Sequence, residues 1–295
     1  MLRTSYAVGT VWALLVAVGC GGGGIGTSSN PNTPRQPLFG HVFLVVEENH
    51  SYSKVIGNSD MPYLNSLASQ FGLATQYYAN AHPSIGNYFM LTTGKMESLD
   101  DAFSGTISDD NIVRELVNAG KSWKCYAESL PSRGYTGPDS YPYLKHHNPF
   151  AYFKDVAGTS QADNLVPFTE FSADLASGAL PNFSFIVPDV LNDAHDGSLA
   201  QADDWLKKNI DPLLSSSTFE GDGLLIVVFD ESEMSDVSHG GGHVPAVIVS
   251  PKARKGFQSS TLFQHQSTLR LILTSLGISK FPGASAAATD MHEFF

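Results

Sequence analysis

The sequence predicts an α/β fold built on a mostly parallel sheet, with helices on both of its faces. Two apolar runs, HVFLVV from His41 and GLLIVVF from Gly223, have the composition of strands that are buried on both sides. Each run ends in a pair of acidic residues. Around these runs, strand-like and helix-like segments alternate along the chain, which is the pattern of a parallel sheet with crossover helices. From this alternation we expect about six or seven strands.

Helix signals are clear in the first half of the chain. The segment Met61–Phe71 carries apolar residues at helical spacing, with Asp60 as its expected N-cap. A second helix is expected to start at Pro83 and Ser84 and to end at Gly94, because these residue types favour those positions. The other elements expected in this half are a strand over 73–78, a helix over 110–118 and a strand over 123–127.

The second half begins with a long irregular segment and then returns to regular alternation. Residues 129–155 are rich in Pro, Gly and Tyr and lack a clean periodicity, so we expect a binding loop or lid that shapes a substrate pocket. The elements expected after it are a helix over 168–175, a strand over 183–187, a helix over 199–214, the strand from 223, a strand over 246–250 and a helix over 267–276.

Length and charge limit the class of partner. The 295 residues, 42% of them hydrophobic, are enough for one large domain or two small ones. We expect a single domain over residues 39–295. The net charge of −12 argues against nucleic acid as a partner, since binding a phosphate backbone needs a basic surface. A phosphorylated small molecule remains compatible with this charge, because a bound cation would neutralise its phosphate locally.

The N-terminal segment has the pattern of a bacterial lipoprotein signal. Arg3 is the only charged residue before Cys20, and an apolar stretch separates the two. We expect residues 1–20 to be a signal peptide with lipid attached at Cys20, and the Gly- and Ser-rich residues 21–38 to be a flexible tether. The protein would then be exported and anchored to a membrane, in the periplasm or at the cell surface. A plain signal peptide or an uncleaved anchor would also fit, because Ala17 stands where leucine is commonest.

Four separated loops carry side chains that suit a cation. They are Glu48-Asn49, Ser84, Asp193–Asp196, and Asp230-Glu231 together with His239 and His243. Carboxylate and amide oxygens suit hard divalent cations, and added imidazole suits zinc, manganese or iron. One acidic pair, or one serine at a helix start, is commonly only a surface or capping feature. Four such loops near strand ends favour a shared site, since ligands bind at the carboxyl ends of parallel strands.

The motifs VVEENHSY, HPSIGNYFMLTTG, HHNPF, NDAHDGS, VVFDESE and GGGHVPAVIVSP occur in this order from His41 to Gly277. Taken together they resemble the phosphoesterase family of bacterial acid phosphatases and phospholipases C, within the alkaline-phosphatase-like superfamily. One departure is that Gly86 precedes Asn87, where the family usually has proline. We expect this change to alter loop stiffness more than chemistry.

The resemblance implies a role for each matching residue. Ser84 is the implied nucleophile and also touches one divalent metal ion, which the sequence does not identify as calcium, zinc, manganese or iron. The implied metal ligands are Glu48, Asn49, Ser84, Asp230 and Glu231. His147 and His195 are implied around the leaving group, where one of them, or His243, acts as a general acid. The residues expected to contact the substrate phosphate are His82, Asn87, His147 and His243.

The resemblance therefore implies a metal-dependent hydrolase of phosphoric esters that works through a phosphoserine. A phosphomonoesterase is favoured over a phospholipase C-type phosphodiesterase, because family members that cleave phospholipids tend to be longer. A non-catalytic lipoprotein that binds ligands is a further candidate, and so is a sulfate-ester hydrolase. The sulfatase hypothesis is weaker, because the segment HPSIGNY lacks the arginine of the sulfatase motif.

Overall fold

An eight-stranded sheet forms the centre of the computed structural model, which describes residues 1–2, 4–5 and 36–295. The ten strands are β1 His41–Glu47, β2 Gly72–Ala74, β3 Tyr77–Tyr78, β4 Trp123–Ala127, β5 Leu165–Pro167, β6 Phe183–Val187, β7 Gly223–Phe229, β8 Ala246–Val249, β9 Phe257–Ser259 and β10 Phe263–Gln264. In the main sheet the strands are ordered β5-β4-β6-β1-β7-β8-β2-β9, and β3 pairs with β10 separately.

Helices connect most of these strands. The α-helices are α1 Tyr52–Val55, α2 Pro62–Gln70, α3 Ser84–Thr93, α4 Ile112–Asn118, α5 Thr169–Ser177, α6 Leu199–Leu214, α7 Ser217–Asp222 and α8 His265–Ser275. Short 3₁₀ helices lie at Lys145–His147, Pro149–Tyr152, Ser160–Asn164, Gly283–Ala287 and His292–Phe294. The segment 129–155, predicted to be irregular, contains the first two of these.

The sheet confirms the predicted α/β class with mostly parallel strands. Strands β5, β4, β6, β1 and β7 all run parallel, and only β8 runs antiparallel to its neighbours. The side chains of β7 are all buried, as are those of β1 after His41. Burying each Val, Leu or Ile stabilises the fold by roughly 1.5–3 kcal/mol, so these two central strands contribute heavily to the core.

The register between β1 and β7 positions the acidic residues. Val42 lies opposite Leu224 and Glu47 opposite Phe229, so the two strands end side by side. The N–H of Asp230 donates to the carbonyl of Glu47 at 2.9 Å, which continues the pairing one step beyond β7. The acidic pairs that follow the two strands therefore meet at one edge of the sheet.

Two element predictions need correction. Asp60 does not cap α2: Met61 is the N-cap residue and Pro62 occupies the first helical position, where its fixed φ angle favours helix initiation. The single strand expected over 73–78 is instead divided into β2 and β3 by a turn at Thr75 and Gln76. The N–H and the hydroxyl of Thr75 both donate to the carbonyl of Ser259, which holds the chain at this turn.

The N-terminal predictions concern residues that the structure does not describe. Cys20, most of the predicted signal peptide and residues 21–35 of the predicted tether lie outside the described residues. Lipid attachment, export and the tether therefore stay predictions. Among the described helices, none is both long and apolar enough to cross a membrane.

Candidate active site

Three loops meet at the carboxyl edge of the sheet. They follow β1, β6 and β7, which are neighbours in the order β6-β1-β7. The N–H of Glu48 donates to the carbonyl of Asp193 at 2.8 Å, which joins the first two loops by their backbones. This edge is where open parallel sheets bind their ligands.

Ser84 and Glu48 form the centre of the site. Ser84 is the first residue of α3, and its hydroxyl donates to Oε2 of Glu48 at 3.2 Å. Tyr88, one helical turn later, donates its hydroxyl to Oε1 of the same carboxylate at 2.7 Å. All three side chains are buried. The i, i+4 spacing on α3 thus directs both hydroxyls at one carboxylate.

Asp230 lies beside this centre and has one oxygen without a partner. Its Oδ1 accepts from the backbone N–H of Glu231 at 2.6 Å and from that of Asn49 at 3.3 Å. Its Oδ2 is buried and has no hydrogen-bond partner among the described residues. An unpaired buried carboxylate oxygen is costly, so this atom needs a cation or a proton.

The charges at this site fit a divalent cation. Burial and the neighbouring charges of Asp230 and Asp193 hold the pKa of Glu48 well above its usual range. Burial also raises the pKa of Asp230 to about 6. Two buried carboxylates and a serine hydroxyl, with one oxygen unpaired, offer the hard oxygen atoms that such a cation prefers.

Asn49 and Glu231 are placed differently from the other predicted ligands. Asn49 has a φ of 58°, a left-handed conformation that asparagine tolerates well, and this turns the chain directly after Glu48. Glu231 faces His82, with its Oε2 3.2 Å from Nδ1 of that ring. Burial, followed by the charge of Asp230, raises the pKa of Glu231 to about 9. These contacts leave the assignment of both residues as metal ligands a prediction.

The contacts of Asn87 and His82 shape the segment that precedes Ser84. Oδ1 of Asn87 accepts from the N–H groups of Asn80 and Ala81 at 2.9 and 3.1 Å, and its Nδ2 donates to the Ala81 carbonyl at 2.8 Å. Nε2 of His82 donates to the carbonyl of Asp236 at 2.9 Å. The amide of Asn87 is thus engaged with the backbone, and its predicted contact with phosphate remains untested.

His147 joins the site from the long loop. Its Nε2 is 3.3 Å from Oε1 of Glu48, and its Nδ1 is 3.5 Å from Oδ2 of Asp193. The ring also stacks on Tyr88, with centroids 5.0 Å apart. Burial lowers the pKa of His147 to about 3, so the ring is neutral and keeps a lone pair. Glu48, His147 and Asp193 form a second buried group whose ligand atoms lie within 4.8 Å of one another, which also suits a metal ion.

The other predicted histidines lie further out. His195 is exposed, its Nδ1 is 2.8 Å from Oδ1 of Asp196, and its ring centroid is 5.7 Å from that of His147. His243 stacks between Tyr52 and Tyr78, and its Nε2 donates to a backbone carbonyl. The contacts of His243 therefore do not link it to Ser84, whereas His195 lies at the solvent side of the site.

The sequence alone assigns no role to Tyr88, and it predicts Asp193 only as part of a loop whose side chains suit a cation. Tyr88 could have been found from its spacing, because it lies four residues after Ser84 in a predicted helix. Asp193 stands out in the sequence only as part of a polar loop. Its position is set by the backbone hydrogen bond to Glu48, which no local sequence signal predicts.

Comparisons with known proteins identify the family of the chain. Residues 58–279 match the model of the Phosphoesterase family. A phosphatidylinositol-3-phosphatase of Mycobacterium tuberculosis is 33% identical over 248 residues, which cover 83% of this chain and 79% of that protein. An acid phosphatase of Aspergillus fumigatus is 31% identical over 250 residues, covering 81% of this chain but only 55% of its own length. The chain thus spans just over half of that fungal relative.

Solved structures with the same fold are more distant in sequence. A protein of the alkaline phosphatase superfamily from Vibrio parahaemolyticus superposes with a TM-score of 0.62 at 15% identity, over 83% of this chain and 68% of that one. The lipoteichoic acid synthase LtaP from Listeria monocytogenes gives a TM-score of 0.61 at 12% identity, over 86% and 77%. These similarities confirm the predicted alkaline-phosphatase-like fold.

Proposed function

Because the chain belongs to the Phosphoesterase family and is a phosphoric ester hydrolase, we propose that it cleaves phosphate monoesters through a phosphoserine on Ser84, with one divalent cation. The observation that carries this proposal is the buried Ser84 hydroxyl at the start of α3, bonded to Glu48 and next to the unpaired oxygen of Asp230. The relatives support phosphate esters as the class of substrate, since the Mycobacterium and Aspergillus proteins are both named as phosphatases.

Ser84 is oriented as a nucleophile by its surroundings. The hydrogen bond to Glu48 aligns Oγ and provides an acceptor for its proton. The start of α3 contributes a favourable dipole for a phosphate dianion, although the N–H of Ile85 is already donated to Asp101 at 3.2 Å. A divalent cation held by Ser84, Glu48, Asn49, Asp230 and Glu231 would lower the pKa of the hydroxyl and offset phosphoryl charge.

The chemistry then takes two displacements at phosphorus. In the first, Oγ of Ser84 bonds to phosphorus while the bond to the alcohol oxygen breaks, and the alcohol leaves with a proton from a general acid. His195 fits this role better than His147, because His195 is exposed at the mouth of the site. In the second, water attacks the phosphoserine, releasing inorganic phosphate and restoring the serine.

A phospholipase C-type diesterase is the second candidate, and the same assay separates it from a monoesterase. We expect purified protein to hydrolyse p-nitrophenyl phosphate faster than bis(p-nitrophenyl) phosphate or phosphatidylcholine. Ser84→Ala should lower kcat on the monoester by at least about a thousandfold, and a chelator should remove activity that added divalent cations restore.

The outcomes discriminate clearly. A Ser84→Ala variant with the wild-type rate would refute the phosphoserine. Full activity in chelator would refute the requirement for a cation. A higher rate on the diester would favour the phospholipase C-type diesterase over the monoesterase. Circular dichroism of the variant confirms that any loss of rate reflects chemistry and not unfolding.

A further inference from the structure

A cavity of about 330 Å³ lies next to the segments that carry Ile85 and His147. Its walls come from the loop after α3 and from the long loop, and its side chains include Asp101, Phe103, Asp139, Lys145 and Tyr152. This volume lies at the small end of the usual range for small-molecule sites, about 300–1,000 Å³. It is therefore sized for one compact ligand.

Two walls of the cavity connect directly to the catalytic residues. Oδ1 of Asp101 accepts from the N–H of Ile85, the residue after Ser84. Lys145 begins the 3₁₀ helix that ends at His147, the residue in contact with Glu48. An ester whose phosphorus is at Ser84 would thus direct its alcohol part toward this cavity.

A larger cavity of about 400 Å³ lies elsewhere. It is lined by residues such as Lys121, Trp123 and Pro181, at the amino ends of β4 and β6. Those strand ends are at the opposite edge of the sheet from Ser84. Position, and not size, therefore selects the smaller cavity as the site for the alcohol part of the substrate.

The polar groups of the smaller cavity have mixed charge. Nζ of Lys145 sits 4.4 Å from the centre of the Tyr152 ring, and the backbone N–H of Lys145 donates to Oδ1 of Asp139 at 2.7 Å. Asp101 and Asp139 supply two carboxylates on the same walls. One ammonium and two carboxylates can donate to and accept from several hydroxyl groups at once.

Other kinds of alcohol fit these walls less well. An alkyl group would remove the three charged groups from water without replacing their hydrogen bonds. An anionic group would meet two carboxylates against one ammonium. A nucleobase would need a free aromatic face, but Lys145 covers the ring of Tyr152, and the ring of Phe103 already packs against those of Phe89 and Tyr152.

We propose that this cavity binds the leaving group of the substrate and that the leaving group is a polyol, such as a sugar or a cyclitol. This inference rests on the proposed function, since it assigns the alcohol half of the ester that Ser84 attacks. Phe103, which is half-buried, forms the apolar part of the wall, where the C–H groups of a ring pack, while Lys145 and the two aspartates bind its hydroxyls.

The test compares phosphate esters of polyols with the phosphate ester of a simple alcohol that has the same number of carbon atoms. The full-length protein, supplied with divalent cation, would be assayed on glucose 6-phosphate, inositol 1-phosphate and hexyl phosphate. We expect kcat/KM for the two polyol esters to exceed that for hexyl phosphate at least tenfold. In Lys145→Met, which keeps an unbranched side chain over Tyr152, this preference should fall about tenfold, as for loss of a charged hydrogen bond.

Lys121→Met, at the opposite cavity, is the matched control and should leave the preference unchanged. Inhibition by the free alcohol gives a second measurement that needs no variant. Inositol should compete with substrate, whereas cyclohexanol, which has the same ring and only one hydroxyl, should not.

Each outcome decides between the proposals. No turnover of any monoester by the wild-type protein contradicts the proposed function itself. Turnover without a polyol preference, or equal inhibition by cyclohexanol, overturns the cavity assignment alone. An inositol phospholipid in detergent micelles completes the comparison. If the protein prefers polyol esters only in the micelles, the polyol belongs to a lipid headgroup. If it also prefers the soluble polyol esters, the substrate is a soluble polyol phosphate.

Discussion

His265 connects α8 to the loop that carries Asp230. The ring is fully buried, and its Nε2 donates to the backbone carbonyl of Asp230 at 2.6 Å. Its Nδ1 accepts from the hydroxyl of Tyr77 at 3.1 Å, and that hydroxyl is also 2.7 Å from Oγ1 of Thr268. Burial lowers the pKa of His265 to about 4, so the ring is neutral. The hydrogen bonds then run in one direction, from Tyr77 to His265 and from His265 to Asp230.

Replacing His265 should therefore affect both stability and cation binding. His265→Leu leaves the Asp230 carbonyl and the Tyr77 hydroxyl buried without partners, which should lower the free energy of unfolding by about 1–3 kcal/mol. His265→Gln keeps an N–H donor of similar reach and should lose less. Urea unfolding measures the change in stability, and calorimetric titration with a divalent cation measures the change in cation binding. Equal behaviour of the two variants would contradict a role for the donor.

At this scale, local sequence signals identified some side chains and not others. Glu48 and Asp230 follow apolar strands, and Ser84 follows a proline at a helix start, so each has a signature within a few residues. The neighbours that complete their environment, Asp193 and His265, lie 145 and 35 residues away from Glu48 and Asp230 respectively. Such pairings depend on strand order and helix packing, which periodicity does not encode.

At the scale of elements, the glycine run after β7 packs against the segment that leads into α3. A Cβ added at Gly241 would lie 2.3 Å from the carbonyl oxygen of Ala81, and one at Gly240 would lie 2.0 Å from that of Asn80. Backbone hydrogen bonds join the same two segments, with Ala79 N–H donating to the Gly242 carbonyl at 2.9 Å. The run must therefore be glycine because another backbone occupies the space of its side chains.

Gly241→Ala should consequently displace the segment 79–82 and with it the start of α3. Overpacking of this kind costs about 1–3 kcal/mol, and kcat should fall because Ser84 moves relative to Glu48. Gly221→Ala in α7 is the matched control, since its added Cβ meets nothing within 4 Å and alanine favours a helix. Thermal melts and rates on p-nitrophenyl phosphate test both variants. Wild-type stability and rate in Gly241→Ala would refute this account.

Most long elements were predictable from the sequence, and the short ones were not. Strands β4 and β6 and helix α6 have the predicted bounds, because each shows a clear apolar pattern between turn residues. Strands β5 and β9, of three residues each, carry too few positions to show any period. The antiparallel direction of β8 was likewise invisible, because an apolar run has the same composition in either direction.

At the scale of the whole molecule, buried acids are concentrated at one edge of the sheet. Glu47, Glu48, Asp193, Asp230 and Glu231 are at most 4% exposed. Burial raises the pKa of each of them, and both oxygens of Glu47 lack hydrogen-bond partners among the described residues. Keeping these buried carboxylates ionised in the folded protein therefore costs free energy, and a bound cation would offset that cost.

The sign of the resulting pH dependence follows from proton binding. Above pH 7 these acids hold more protons in the folded state than in the unfolded state, since Glu231 has a pKa of about 9 when folded. The free energy of unfolding must then fall as pH rises from 7 to 9, by about 1.4 kcal/mol for each unit of pKa difference that is titrated. Histidines with a lowered pKa, such as His147, act in the opposite direction, but only below their ordinary value of about 6.5.

We therefore expect the protein in chelator to lose thermal stability between pH 7 and pH 9, and an added divalent cation to raise Tm more at pH 9 than at pH 7. Glu47→Gln separates the effect of the buried acids on stability from the effect of cation binding, because Glu47 is not among the predicted metal ligands. This variant should be more stable than the wild-type protein at pH 9 in chelator, with a shallower loss of stability, while still responding to the cation. A wild-type Tm that stays constant or rises from pH 7 to 9 in chelator would show that the acids are not protonated in the folded state. The cation would then not be needed to offset their charge.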